Sequence, residues 1–241
     1  MISTIFIKIV LIAGLVASSA IPRRPNTILF PREINATAVS KLLHIAPTSI
    51  TCKNATRPSE CRTATQAAPF LINSMQAWNI TNAREITALL SVIAFNTDSF
   101  KFNTGKFVGQ GTRNMQRGRW NLAYAQTFPE LAIPLRMITG ANFTDTAQSQ
   151  RVLSDAQYAA ILDLVLPDKY SWGSAAWYLT SQCESTRQGL REAHDPHSAY
   201  SIYLQCIGTE MSEDRMVFWV AANEAFGLTS MAPGEAMPTS K

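Results

Sequence analysis

Apolar residues recur at steps of three and four through most of this chain. The clearest stripe is formed by Ile86, Leu89, Leu90 and Ile93, a spacing that puts all four on one face of a helix. The sequence holds no run of four to eight alternating β-branched residues, the pattern that indicates strands. We therefore expect an all-α fold of seven or eight helices.

Helix boundaries are marked by polar residues and glycine. Asn82 followed by Glu85, and Ser154 followed by Gln157, have the spacing of a capping box, in which two side chains satisfy each other's unpaired backbone amides. Gly140 follows a helical pattern and is a typical stop signal. These signals place helix starts at residues 83 and 155.

The two ends of the chain differ from its middle. Lys8, a short apolar run and the small residues up to Ala20 are typical of a secretory signal, and the run is too short for a comfortable membrane anchor. The last residues are rich in Gly, Pro and Ser, which predicts disorder. The expected organisation is a signal peptide at 1–20, an N-terminal arm or leader at 21–50, a helical domain at 51–226 and a disordered tail at 227–241.

Four cysteines in a secreted chain predict two disulfides, with three possible pairings. Cys52 with Cys61, and Cys183 with Cys206, are each close along the chain, so local pairing is the simplest arrangement. Four Asn-x-Ser/Thr sequons, at Asn35, Asn54, Asn79 and Asn142, lie in predicted loops or helix boundaries and indicate a glycoprotein.

Several kinds of partner are disfavoured by the sequence. The formal charge is +4, or +3 without Lys8, and no basic run interleaved with aromatic residues points to nucleic acid. The chain has no CxxC pair, and its three histidines, His44, His194 and His197, lie far from most of the cysteines. We expect no metal, no cofactor, no membrane contact after signal removal, and a monomer.

The segment Ile86–Gln116, ITALLSVIAFNTDSFKFNTGKFVGQGTRNMQ, resembles the catalytic core of lysozyme-like and family 19 chitinase-like glycan hydrolases. Within it, AFNTDSFKFN is similar to the AFES-type segment of fungal secreted lysozyme-like proteins. Asn96 and Thr97 stand where that family has Glu and Ser. The resemblance covers roughly residues 51–226 and implies a lysozyme-like fold, a fungal source and binding of chitin or peptidoglycan.

The catalytic position implied by this resemblance lacks its acid. Hydrolysis of a glycosidic bond needs a proton-donating carboxylic acid and a second carboxylate about 5 to 9.5 Å away. The amide of Asn96 cannot donate that proton, and Asp98 is the nearest carboxylate, although a residue of its type is common in turns. Enzyme activity is therefore uncertain, and glycan binding without hydrolysis is the expectation.

The resemblance also implies a group of sugar-binding side chains after this helix. Gln110, Arg113, Asn114 and Gln116 supply the donors and acceptors that sugar hydroxyls and acetamido groups need. Each of them taken singly fits a surface loop and helix N-cap equally well. As a group, they favour a binding cleft.

A second interpretation belongs to another class of function. The chain fits a secreted, extracellular effector or surface protein that uses the fold as a scaffold for a host or partner protein, because a fold does not fix a function. The missing acid and the small net charge permit this alternative equally, and the sequence does not decide between the two.

Overall fold

A computed structural model describes residues 36–140, 153–193 and 195–228. Helices dominate these ranges, which contain no strand and only isolated bridges at Thr104, Gly111 and Gln116. The all-α prediction is confirmed, with more and shorter helices than expected. The α-helices are α1 Ala36–Ile45, α2 Ala64–Ala77, α3 Ala83–Asn96, α4 Gly118–Ala125, α5 Ala132–Thr139, α6 Asp155–Val165, α7 Asp168–Ser171, α8 Ser174–Ser181, α9 Glu184–Glu192, α10 Pro196–Cys206 and α11 Glu213–Ala225; 3₁₀ helices span Pro47–Ile50 and Pro129–Leu131.

Helix α3 lies at the centre of the fold. It packs against α1, α8, α9 and α11, and its residues from Thr87 to Ala94 are all buried. The predicted stripe is part of this core, since Leu89, Leu90 and Ile93 are buried and Ile86 is partly buried. A helix that is apolar on more than one face is typical of such a central position.

The predicted helix starts are present, and one of the two capping boxes is formed. The Ser154 hydroxyl accepts from Gln157 N, and the Gln157 side chain accepts from Ser154 N in return. At α3, the Asn82 side chain accepts from Arg84 N. Glu85 does not complete the second box.

Glu85 is instead a buried ion-pair partner of α9. Its carboxylate lies 2.6 Å from Arg187 Nε and 3.0 Å from Arg191 Nε. Arg187 also donates to the carbonyl of Asn79, in the turn before α3. This pairing fixes the N-terminal end of α3 against α9, which the local sequence pattern could not indicate because the partners are about a hundred residues away.

Both predicted disulfides are formed, Cys52–Cys61 and Cys183–Cys206. The second one joins the N-cap of α9 to the end of α10. Asn54 and Asn79 lie in exposed turns, as expected for sequons, whereas Asn35 and Asn142 lie outside the described residues.

The predicted domain limits can be followed only in part. The expected signal peptide and most of the tail lie outside the described residues, as does His194. Residues 36–50, the last part of the predicted arm, form α1 and the first 3₁₀ helix, and α1 packs against α2 and α11. Where residues are described, every helix is too short or too polar to cross a bilayer.

Replacing Glu85 with Ala is expected to lower the free energy of unfolding by about 3 kcal/mol, because the substitution leaves the guanidinium of Arg187 partly buried without its counter-ion. Urea denaturation followed by circular dichroism measures this change. Glu224→Ala is the control, since its pair with His44 is exposed and is worth at most about 1 kcal/mol. Equal losses in the two variants would contradict the role given to Glu85.

Candidate functional site

The segment after α3, residues 97–117, is called the polar loop below. Its first turn holds three consecutive non-glycine residues in the left-handed region: Asp98, Ser99 and Phe100, with φ of 47°, 59° and 72°. Such residues persist only where their surroundings fix them. The Thr97 hydroxyl contributes by donating to Ile93 O at 2.7 Å and accepting from Phe100 N at 2.9 Å.

Arg113 anchors the polar loop from inside. Its side chain is fully buried, and it donates to the carbonyls of Phe102 at 2.9 Å and Glu60 at 3.0 Å. The guanidinium lies 4.2 Å from the ring centroid of Trp172 and 3.7 Å from the Asp168 carboxylate. Burial lowers the pKa of Arg113 to about 10 and the negative charge of Asp168 opposes that shift, so the group stays protonated at neutral pH.

Glu60 binds the outer half of the same loop. One carboxylate oxygen accepts from the backbone amides of Asn103 at 2.8 Å and Thr104 at 2.9 Å, and the other accepts from the Thr104 hydroxyl at 2.7 Å. Burial on its own raises the pKa of Glu60, but these hydrogen bonds outweigh it and hold the pKa below its ordinary value. The disulfide at the neighbouring Cys61 keeps Glu60 in place.

The two residues predicted at the catalytic position, Asn96 and Asp98, make contacts with neighbouring residues that suit a structural role. The Asn96 amide donates to the carbonyl of Asn114 at 2.9 Å, which ties the end of α3 to the polar loop. The Asp98 side chain is 60% exposed, and its carboxylate lies 3.0 Å from Lys101 Nζ. The turn-residue interpretation of Asp98 agrees with this position.

The four predicted sugar-binding residues do lie together, but their polar atoms bind one another and the loop backbone. Gln110 donates to Met115 O at 2.9 Å, Asn114 donates to the Gln116 side chain at 2.9 Å, and Gln116 donates to the Asn121 side chain at 2.9 Å. Arg113 is buried, as described above. These groups stabilise the polar loop internally.

A separate cavity of about 330 Å³ lies between α1, α2, α3 and the residue after α11. We call it the aliphatic cavity, because nine of the eleven described residues that line it are apolar. The lining residues are Thr37, Ala38, Lys41, Leu42, Ala68, Leu71, Ile72, Met75, Ile86, Leu90 and Phe226.

Helical periodicity explains how the wall of the aliphatic cavity forms. Each of the three helices contributes residues three or four apart, such as Ala68, Leu71 and Met75 on α2 and Ile86 and Leu90 on α3. Residues at this spacing share one face of a helix. Ala38 is partly exposed, and its short side chain leaves open volume that a larger residue would fill, whereas Ala68 is fully buried.

Among the described residues, Lys41 is the one charged residue that lines the aliphatic cavity. Its ammonium donates to the carbonyl of Ala225, at the end of α11, and lies 4.2 Å from the ring centroid of Phe226. A cation is stabilised at a helix C-terminus by the exposed carbonyls there. The sequence did not indicate this cavity, because α1 lies in the predicted arm, although Leu42 and Ile45 already have a helical spacing.

Comparison with known proteins gives one informative relative. The chain is 37% identical over 169 residues to a bifunctional dioxygenase–epoxy alcohol synthase from Fusarium oxysporum strain Fo5176. The match covers 68% of this chain and spans only 12% of the relative's length. No family model matches the chain, and no solved structure matches it.

This relative overturns the functional prediction made from the sequence. The expected lysozyme- or chitinase-like protein that binds cell-wall glycans is wrong, since the relative's name describes oxidative activities. The alternative of an effector built on the same scaffold is overturned with it. The physical reason for the error is that amide-rich side chains form a self-bonded loop as readily as a sugar cleft.

The described residues contain no cluster of metal ligands. Oxygen chemistry in proteins is generally carried by haem, flavin, copper or non-haem iron, and the metals need His, Cys or carboxylate ligands. All four cysteines are in disulfides, and within residues 36–140, 153–193 and 195–228 no group of three His, Cys, Asp or Glu residues is placed to hold a metal. His44 pairs with Glu224 at 3.2 Å, and His197 packs against Trp219. Neither histidine lines the aliphatic cavity.

Replacing Arg113 with Met is expected to lower the free energy of unfolding by about 3 kcal/mol, because buried carbonyls lose a charged donor. Urea denaturation measures this loss, and hydrogen exchange should show the polar loop opening first. Arg117→Met is the matched control, since that side chain is exposed and its loss should cost less than about 0.5 kcal/mol. If Arg113→Met is as stable as Arg117→Met, Arg113 does not anchor the polar loop.

Proposed function

We propose that this chain is a binding module for a small molecule with an aliphatic skeleton. We further propose that it serves oxidative metabolism of the kind named for its Fusarium relative, without holding the oxygen-activating centre itself. The observation that carries the proposal is the aliphatic cavity of about 330 Å³.

The cavity has the size and chemistry that such a ligand needs. Small-molecule sites typically enclose about 300 to 1,000 Å³ and are mostly apolar with a few polar groups. Each methylene moved from water into the cavity is worth about 0.8 kcal/mol. Leu, Ile, Met and Ala side chains dominate the wall and Phe226 is its one aromatic ring, which suits a flexible alkyl chain better than a planar one.

The link to oxidative metabolism rests on the sequence match. An epoxy alcohol carries an epoxide and a hydroxyl on a carbon skeleton, and that skeleton is the part an aliphatic cavity would bury. Because this chain spans only 12% of the relative, it corresponds to one part of a much longer protein. A match to 12% of the relative's length leaves room in that protein for a separate catalytic part. The matching part would then bind the apolar substrate or product.

Two expectations from the sequence stay predictions beside this proposal. One is a lysozyme-like arrangement of the helices. The other is secretion, with which two disulfides are compatible. The proposed binding depends on neither of them.

Filling the aliphatic cavity should abolish ligand binding. We expect 1-decanol to bind the wild-type chain and raise its melting temperature, and Ala38→Trp to remove both effects because the indole occupies the cavity. Isothermal titration calorimetry and thermal melting measure them. Ser40→Trp is the control, since Ser40 is an exposed residue on the same helix and does not line the cavity. Equal binding by Ala38→Trp and Ser40→Trp would count against the site.

The link to the relative is tested by exchange of segments. We expect deletion of the matching segment from the Fusarium enzyme to reduce its epoxy alcohol output severalfold. Residues 36–228 of this chain, which include the described lining of the aliphatic cavity, should restore that output when they are inserted in its place. Product analysis by mass spectrometry measures both. A graft that carries Ala38→Trp shows whether the open cavity is needed in addition to the inserted segment. It should restore less epoxy alcohol output than the unsubstituted graft. If the deletion changes neither activity of the enzyme, the oxidative link is rejected.

A further inference from the structure

Large apolar side chains are exposed on two neighbouring parts of the surface. At the tip of the polar loop, Phe107 and Val108 are 59% and 57% exposed. On the outer face of α5, Ile133 and Met137 are 71% and 82% exposed, and their spacing of four residues places them side by side. Single exposed apolar residues are ordinary, whereas groups of them mark interaction surfaces.

The first turn of α6 connects these two groups. Tyr158 packs so closely on Gly109, which follows the loop tip, that a Cβ atom on this glycine would lie 2.6 Å from Tyr158 Cβ. The neighbouring Gln157 donates to the carbonyl of Ile138, at the end of α5, at 2.8 Å. The loop tip and the end of α5 therefore lie at the same end of α6. We call residues 106–108 and 133–137 together the projecting surface.

Gln110 holds the loop tip in place. Its backbone accepts from Gly105 N at 2.8 Å and donates to Phe107 O at 3.0 Å, and its side-chain oxygen accepts from Lys106 N at 3.1 Å. The inside of the polar loop is thus bonded to itself, whereas Phe107 and Val108 are exposed at its tip. A tip that is already ordered loses little conformational entropy when it binds a partner.

Three cations accompany the exposed apolar residues. Lys106 and Arg136 are exposed members of the projecting surface, and the Arg117 guanidinium lies 5.5 Å from the ring centroid of Phe107. Within the described parts of the chain, none of these cations forms an ion pair. Their charges are therefore available to an anionic partner.

The acidic residues close to the projecting surface are fewer. Asp155 is exposed in the first turn of α6. Glu130 lies just before α5, and its carboxylate accepts from the Tyr170 hydroxyl at 3.1 Å. The surface therefore keeps an excess of positive charge.

We propose that the projecting surface docks on an anionic lipid bilayer. The apolar side chains would enter the boundary between headgroups and acyl chains, and the cations would contact the negative headgroups. This docking does not involve the aliphatic cavity, so it goes beyond the proposed function. The sequence led us to expect no membrane contact, because the two apolar groups come together only through the packing of α6.

Two observations favour a lipid surface over a protein as the partner. A second copy of this chain would bring the same cations face to face in a symmetric contact, where like charges repel. In protein interfaces, the residues that carry most of the affinity cluster at the centre of one well-packed patch. Here the apolar side chains stand on both sides of α6 with cations beside them, which suits insertion into a bilayer interface.

Sedimentation with lipid vesicles tests the proposal. The full chain is mixed with vesicles of phosphatidylcholine, with or without phosphatidylserine. We expect the anionic vesicles to bind it about tenfold more tightly than the neutral ones, and added salt to weaken that binding. The double variants Phe107→Ser/Val108→Ser and Ile133→Ser/Met137→Ser should each bind about tenfold more weakly. Arg136→Gln should bind about fivefold more weakly.

Matched controls carry the same kinds of change elsewhere on the surface. Ile202→Ser and Val217→Ser replace exposed apolar residues of α10 and α11, and Lys53→Gln removes an exposed cation before α2. All three should bind the vesicles as the wild type does. Every variant keeps the same terminal segments, so a difference in binding reports the substituted position. Thermal melting followed by circular dichroism shows that each variant is folded.

A fluorescent label locates the contact directly. An environment-sensitive fluorophore attached to Val108→Cys should shift its emission to shorter wavelength when anionic vesicles are added, because the label leaves water. The same fluorophore on Val217→Cys is the control and should not shift. A loss of stability alone would not produce this difference between the two positions.

Each outcome decides for or against the proposal. Weaker binding by both double variants, with a shift at Val108 and none at Val217, supports it. Absence of binding to anionic vesicles overturns it, as does binding by the double variants that equals that of the controls. Equal binding to neutral and anionic vesicles also overturns it. If the wild type binds immobilised polyglutamate but not the vesicles, the surface belongs to an acidic protein partner and the lipid proposal is wrong.

Discussion

The buried guanidinium of Arg113 is the constraint on which the organisation of this fold depends most. A charge without solvent has to be surrounded by acceptors, and the chain supplies the carbonyls of Glu60 and Phe102, the ring of Trp172 and the carboxylate of Asp168. Those groups come from distant parts of the sequence. Two local features are consistent with the need to bring these groups together around the guanidinium of Arg113. They are the left-handed turn after α3 and the disulfide beside Glu60.

Features that depend on near neighbours in the sequence were predictable. The stripe through Leu89 and Ile93 indicated a buried helix, Ser154 marked a helix start, and closeness along the chain gave both disulfides. Features that depend on distant partners were not. The Asn96 amide bonds a carbonyl eighteen residues away, and no local pattern distinguishes such an internal hydrogen bond from a group that awaits a sugar.

The aliphatic cavity was hidden from the sequence for a different reason. Its wall consists of residues such as Leu71, Ile72 and Leu90, whose helical spacing is the ordinary signal of a core. Whether three such stripes close on one another or leave a space depends on side-chain volumes across helices. The short side chain of Ala38 leaves part of that space open, and this effect becomes visible only when α1 and α2 are placed together.

The polar loop and the aliphatic cavity differ in their capacity to bind a ligand. Around Arg113 the described polar groups mainly bind one another, so that region is suited to rigidity and has little capacity left for a ligand. Around Lys41 the apolar surface faces open space, and the capacity for binding is concentrated there. A rigid framework that presents one apolar cavity can bind an aliphatic molecule without performing chemistry on it. Under the proposed function, such a framework would hold a substrate or product while oxygen is activated in another part of the system.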